Sequence, residues 1–282
     1  MFRTPSLKLG SFSLPAGRPL VMGIVNVTPD SFSDGGRFLA AGEAIAHARK
    51  LIVDGADILD IGGESTRPGA AAASLQEELD RVMPVLQALR DSGVPVSIDT
   101  QKPAVMRAAI AGGASMINDV NALQAEDALE VCAAASVTVC LMHKQGTSQT
   151  MQQNPVYADV VAEVKSFLLA RARACEHAGI AADRIVIDPG FGFGKTVRHN
   201  FALLRELATL AATGYSVLAG YSRKSSLGIV TGRPVDERLA ASLAAALIAT
   251  QNGATILRVH DVRETLDVLK IWQATMDRST TA

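Results

Sequence analysis

What most limits the folds open to this chain is a unit that keeps returning: a small residue closing a helix, a turn, a short unbroken apolar run, and a polar residue where the run ends. Gly55-Ala56-Asp57 leads into Ile58-Leu59-Asp60-Ile61, Gly93 through Pro95 into Val96-Ser97-Ile98 and Asp99, and Gly113-Ala114-Ser115 into Met116-Ile117 and Asn118-Asp119. Residues 20–27, 137–142, 185–187, 217–219 and 256–259 are runs of the same kind, which brings the candidate strands to eight. Between them, stretches such as 40–53, 75–89, 160–178 and 235–250 carry apolar residues at helical spacing. Ser74-Leu75-Gln76-Glu77 has the capping-box form of a helix start.

Apolar strands that do not alternate with polar residues are buried on both faces, which means a parallel sheet covered by helices. Eight such units close most naturally into a (β/α)₈ TIM barrel, and 282 residues with 48% hydrophobic side chains suit one domain of that size spanning 1–282. The open doubly wound sheet is the rival, and it also places its site at the strands' C-terminal ends. Ahead of the first strand, two segments flank Pro15-Ala16-Gly17, which predicts a short N-terminal hairpin capping the barrel floor.

Composition removes several functional classes. A net charge of -1 and only 4% aromatic residues give neither the basic stripe nor the stacking platform of a nucleic-acid partner. Residues 1–10 lack the apolar core of a secretory signal, and the longest apolar stretch, 239–249, is far short of a membrane span and reads as a buried helix. Cys132, Cys140 and Cys175 are odd in number and widely spaced, as expected of core thiols in a reducing cytoplasm. No His-x-x-x-His spacing suggests a zinc site, so any metal would be Mg²⁺ riding with phosphate oxygens.

In a barrel, the residues just after each strand converge on one mouth. Here they are Asn26; residues 62–67; Asp99; Asn118 and Asp119; Met142 and His143; Asp188; residues 222–225; Arg258 and His260. Asp99, Asp188 and Asn118 are acceptors suited to a heterocycle edge rich in N–H donors, since paired hydrogen bonds to a carboxylate are strong and selective. The competing reading is that each caps the following helix, as at Asp99-Thr100. Arg67, Lys224, Arg258 and His260 surround the same mouth with positive charge, and helix N-termini after the last strands add N–H donors, so an anion should enter. Their competing reading is solvated surface charge. Gly190-Phe191-Gly192-Phe193-Gly194-Lys195-Thr196 fails the phosphate-loop pattern, because Pro189 stands where its first glycine belongs. It reads instead as a flexible aromatic loop able to flank a flat ring. His47, His177 and His199 fall in or beside helices and are read as packing or surface residues.

Seven segments together resemble the dihydropteroate synthase family: Gly23-Ile-Val-Asn-Val-Thr-Pro-Asp-Ser-Phe-Ser-Asp-Gly-Gly36, Asp60-Ile-Gly-Gly-Glu-Ser-Thr-Arg-Pro-Gly69, Ser97-Ile-Asp-Thr100, Ile117-Asn-Asp-Val120, Asp188-Pro-Gly-Phe-Gly-Phe-Gly-Lys195, Ser222-Arg-Lys-Ser225 and Arg258-Val-His260. The resemblance implies condensation of p-aminobenzoate with 6-hydroxymethyl-7,8-dihydropterin pyrophosphate by a dissociative substitution, with Mg²⁺ and as a homodimer. It implies that Asp99, Asn118, Asp188, Lys224, Met142 and Ile117 bind the pterin, with the Arg258 guanidinium stacked on its face. Phe32, Thr66, Arg67, Pro68, Phe193, Lys224 and Ser225 would take p-aminobenzoate; Asn26, Arg67, Arg258 and His260 would take pyrophosphate, Asn26 also touching the metal. Lys224, Asp99, Asp188, Arg258 and Asp34 would carry the catalysis, with the loops 26–36 and 66–73 closing over the site. Two departures stand out: Ser226 where the family more often has a bulky apolar residue, and a looser 143–147 loop. A methyltetrahydrofolate-dependent methyltransferase and a non-catalytic pterin-binding paralogue are the alternatives.

Overall fold

The computed structural model describes residues 7–12, 14–15, 17–27, 37–65, 72–146, 150–151 and 153–276. Among them the eight expected strands are present: β1 (Leu20–Asn26), β2 (Ile58–Gly62), β3 (Val96–Asp99), β4 (Met116–Asp119), β5 (Thr138–Met142), β6 (Ile185–Asp188), β7 (Ser216–Ala219) and β8 (Ile256–Val259). Each pairs in parallel with the next, and β8 pairs back with β1, so the sheet closes in chain order. Closure decides against the open doubly wound sheet. The helices around it are α1 (Arg37–Val53), α2 (Leu75–Leu89), α3 (Pro103–Ala111), α4 (Ala128–Ala133), α5 (Val160–His177), α6 (Val197–Arg205), α7 (Ala208–Ala211), α8 (Ser225–Thr231), α9 (Leu239–Gln251) and α10 (Val262–Met276).

Local chemistry sets the helix starts. Ser74 and Glu77 make both halves of the expected capping box at α2. Asp159 accepts from the first free N–H groups of α5, and Thr196 with His199 caps α6 reciprocally, which gives His199 a structural role. Pro103 opens α3 at the position where its missing N–H costs nothing.

Two apolar layers hold the barrel. The outward faces of the strands pack against the helices, and the inward faces fill the floor with Leu20, Met22, Ile58, Met116, Cys140 and their neighbours. Leu9, fully buried, plugs that floor from below. The N-terminal segment is tied there by hydrogen bonds from Lys8 N to Asp183 O (3.0 Å) and from the Thr138 hydroxyl to Lys8 O. The segment therefore covers the floor as expected, but no strand precedes β1 among the described residues. An inserted leucine and two backbone anchors do what a hairpin was expected to do.

The apolar run 239–249 is helical, as α9, yet it is not buried. Ala245, Ala246 and Ala249 face the barrel, while Leu239 is 39% and Ile248 41% exposed. A helix resting on a sheet can bury only one stripe, so an all-round apolar sequence leaves the other side uncovered. Ile271 on α10 is 70% exposed beside it, and a groove lined by Leu243, Leu247, Val268, Ile271 and Trp272 runs between the two helices.

Candidate active site

Barrel register aligns Asn26, Gly62, Asp99 and Asn118 across β1 to β4, and Met142 with Asp188 across β5 and β6. Side chains alternate between the two faces of a strand. Because Met22, Ile58, Met116, Cys140, Val186 and Ile256 point into the floor, Asn26, Asp60, Asn118, Met142, Asp188 and Arg258 share their inward direction nearer the mouth. The same alternation corrects Ile117. It sits in register with Ile98 and Val139 in the layer between barrel and helices, so it cannot touch a ligand in the mouth. Val120, buried just past the end of β4 and outside both core clusters, is the apolar residue next in step with Asn118.

Asp99 does not cap a helix. Its Oδ2 accepts from Arg258 Nη2 at 2.9 Å, and Thr100 takes the local N–H of Lys102 instead. Arg258 Nε donates to Asp60 Oδ2 at 2.6 Å, and Asn118 Nδ2 donates to the same oxygen at 3.1 Å. Burial raises the Asp99 carboxyl well above the usual range, with Arg258 opposing and Asp60 adding to the rise. Burial also works against the Arg258 charge, but Asp60 and Asp99 outweigh it and hold the guanidinium more firmly protonated than usual. Asp119, by contrast, is a structural residue: its carboxylate accepts from Asn121 N and Leu123 N at 2.7 Å each.

Asp188 is divided between two tasks. Its Oδ1 accepts from Gly190 N at 2.7 Å, shaping the turn after β6. Burial pushes its carboxyl up to about 6, against that hydrogen bond and the attraction of Lys224, Lys195 and Arg258. Lys224 and Arg258 are thus close enough for their charges to act on the Asp188 carboxyl. Lys224 is pulled down to about 8 by burial and by Arg258, and its ammonium lies 4.3 Å from the centre of the Phe193 ring.

The glycine loop after β6 is tightly fitted rather than slack. Gly190 has φ +67, and a Cβ there would stand 1.9 Å from His143 O; one on Gly194 would stand 2.4 Å from Gln145 O. Phe191 is buried and stacks on Tyr221 with ring centres 4.6 Å apart, so Phe193 alone of the pair is at hand for a flat ligand. Lys195, missed as a site-shaping residue, is 2% exposed and holds the loop down through His143 Nδ1 (3.0 Å), His143 O (3.3 Å) and Phe193 O (3.1 Å). Burial lowers it to about 7 and lowers His143 to about 3. The start of the looser 143–147 loop is thus anchored. Ser226 is buried too, and its hydroxyl donates to Tyr221 Oη at 3.1 Å, so a polar pair replaces the bulky residue expected there.

His260 adds no positive charge in the free protein. Burial and the neighbouring Arg223 and Arg258 lower it to about 4. Ser222 Oγ accepts from His260 N (3.3 Å) and lies 3.0 Å from Nδ1. The Ser222 hydroxyl thus holds His260 through both its backbone N–H and its Nδ1 edge. Arg223 faces away, held by Asp261 and by Ser242 Oγ in a left-handed conformation, φ +58. Ser225 is exposed at the first turn of α8. Phe32, Asp34, Thr66, Arg67 and Pro68, with most of the two long loops, lie outside the described residues.

No group of three or more His, Cys, Asp or Glu side chains poised for a metal occurs among the described residues. Asn26, at the end of β1 beside Gly62 and Asp99, can offer one amide oxygen. That fits Mg²⁺, which keeps most of its waters and reaches enzymes on phosphate oxygens.

Comparison with known proteins agrees with this geometry. The family model described as pterin binding enzyme matches residues 22–260. The Haemophilus influenzae dihydropteroate synthase is 51% identical over 258 residues, covering 91% of this chain and 94% of the relative. The solved Xanthomonas albilineans dihydropteroate synthase with 4-aminobenzoic acid superposes with a TM-score of 0.91 at 52% identity, covering 97% of this chain and 99% of that one. The Burkholderia cenocepacia dihydropteroate synthase complexed with 7,8-dihydropteroate gives 0.88 at 50% identity, covering 98% of each chain.

Proposed function

The chain belongs to the dihydropteroate synthase family of pterin-binding enzymes, and from that membership we propose how its mouth performs the reaction. The enzyme joins p-aminobenzoate to 6-hydroxymethyl-7,8-dihydropterin pyrophosphate, giving 7,8-dihydropteroate and pyrophosphate. The observation that carries the proposal is the ring of inward-directed side chains at the strand ends, in which Asp99 and Asn118 are linked to Arg258, directly and through Asp60, and Asp188 stands in register with Met142.

Asp188 and Asp99 take the N–H donors of the pterin edge, Met142 lies under the ring, and Arg258 stacks on its face. The bond from the pterin methylene carbon to pyrophosphate breaks first, its electron pair leaving on the diphosphate. The arylamine nitrogen then bonds to that carbon and sheds a proton. An arylamine is neutral at pH 7, so no strong general base is required. The work is electrostatic: Arg258 and His260 meet the departing anion, while the carboxylates favour the cation left on the pterin. Mg²⁺, held by Asn26 and by diphosphate oxygens, would neutralise leaving-group charge. Phe193 and Lys224 border the p-aminobenzoate side, with Ser225 at its rim and Phe32, Asp34, Thr66, Arg67 and Pro68 completing it from the long loops. Purified protein mixed with Mg²⁺ and both substrates is expected to release one pyrophosphate per dihydropteroate formed. Pterin binding without pyrophosphate release would instead favour the non-catalytic paralogue.

We assign the exposed face of α9 and α10 to a second copy of this chain. Apolar side chains as exposed as Ile271 and Ile248 form a patch of the kind that homodimers bury. Ile271→Glu is expected to convert a dimer into a monomer in sedimentation analysis without unfolding it; an unchanged sedimentation coefficient would refute this face. No helix among the described residues is long and apolar enough to cross a membrane. The buried free thiols of Cys132, Cys140 and Cys175 support the cytoplasm as its compartment.

A further inference from the structure

Within β2, Asp60 is a charged residue inside an otherwise apolar strand, with no exposed surface. None of the substrate contacts assigned above uses it. Its Oδ2 nevertheless collects two side chains from opposite parts of the barrel, Arg258 Nε from β8 and Asn118 Nδ2 from β4. Its Oδ1 has no partner among the described residues.

An amide side chain has one donating end and one accepting end, and a fixed neighbour decides which end faces outward. A carboxylate only accepts. With Nδ2 of Asn118 spent on Asp60, the Asn118 carbonyl is the end left for the mouth. The wall formed by Asp99, Asn118 and Asp188 then presents acceptors only. The same oxygen fixes the guanidinium of Arg258 through Nε, leaving its planar face and Nη groups to be aimed by Asp99. We propose that Asp60 is a positioning residue that sets the hydrogen-bond polarity of Asn118 and the orientation of Arg258, and so makes the cavity selective for a donor-rich heterocycle edge. The proposal rests on the reading of this mouth as a pterin site.

Calorimetry with 6-hydroxymethylpterin on variants of the full chain tests it. Asp60→Leu, branched at the same carbon and without an acceptor, is expected to weaken binding by about tenfold to a hundredfold, the range for losing hydrogen bonds to a charged group. Asp60→Asn keeps a carbonyl oxygen for both donors and should recover most of that loss. In an Asn118→Ala background the Asp60→Leu loss should shrink by at least about threefold, since residues acting as one unit are not additive. A residue that merely fills space would leave Asp60→Leu binding like the unsubstituted protein, and losses of equal size in both backgrounds would equally overturn the proposal.

Hydrogen exchange in the unsubstituted protein gives a reading that survives if Asp60→Leu does not fold. The side-chain amide protons of Asn118, identified by their absence in Asn118→Ala, should exchange slowly before and after pterin is added. Rapid exchange that slows only on binding would place Nδ2 against the ligand and overturn the assignment. If the unsubstituted protein binds no pterin at all, the failure lies with the site reading and not with Asp60.

Discussion

Asp188→Ala is expected to lose roughly 2–5 kcal/mol of pterin affinity, the cost of removing one partner of a buried charge-assisted pair. That is about 30-fold to several thousandfold in Kd. The loss should appear in binding and not in folding. Asp188 is a buried carboxyl raised to about 6, so its ionised form costs the folded state stability at neutral pH, and its removal offsets the lost hydrogen bond to Gly190. The thermal midpoint should stay close to that of the unsubstituted protein. Calorimetry at several pH values adds a sign. The ligand's N–H groups need the carboxylate, which is present above about 6 and protonated below it. Asp99 titrates higher, at about 7, so affinity of the unsubstituted protein should already decline as pH falls through about 7 and should fall more steeply below about 6, where Asp188 is protonated too. In Asp188→Ala the added steepness below about 6 should vanish, leaving the decline through about 7 that Asp99 contributes. A variant that binds pterin normally, with the same pH profile, removes Asp188 from the site.

Arg258→Met is expected to damage both chemistry and stability. The guanidinium answers two buried acids, Asp60 at 2.6 Å and Asp99 at 2.9 Å. Deleting one member of such a buried set leaves unpaired charge and costs about 3 kcal/mol or more of stability. Loss of the group that meets the leaving anion should lower kcat by about a hundredfold to a thousandfold, the usual effect of removing one oriented donor from a developing charge. Adding Asp99→Asn to Arg258→Met should restore part of the thermal midpoint, because one uncompensated carboxylate is gone, while activity stays low. A double variant no more stable than Arg258→Met would show that the two side chains are not coupled.

The barrel was legible because its period is carried by residues that have little alternative: small residues before each strand, unbroken apolar runs, and a capping box at Ser74 that forms as read. Most of the described mouth residues were legible for the same reason, since the end of each run marks its position. What escaped depended on direction and depth. Ile117 and Asn118 are adjacent, and only strand alternation says that one faces the helices and the other the barrel mouth. Asp60 opens the Asp60–Gly69 segment with no outward sign of its task, although a charge within an apolar strand asks for a buried partner. The positive formal count at the mouth overstated His260, because burial beside Arg223 and Arg258 keeps it neutral. For 239–249, apolar composition suggests burial, but a barrel helix can cover only one of its sides. Phe191 and Phe193 look equivalent in a glycine loop, yet Tyr221 claims the first.

A crystal structure with 6-hydroxymethylpterin pyrophosphate bound tests most directly whether one cavity reads both halves of the substrate. The ring is expected between Asp99, Asn118 and Asp188 with Arg258 against its face, and the diphosphate within hydrogen-bond reach of Asn26 and His260. A ring bound away from Asp188, or a diphosphate lodged on a surface that Arg258 does not reach, would contradict it.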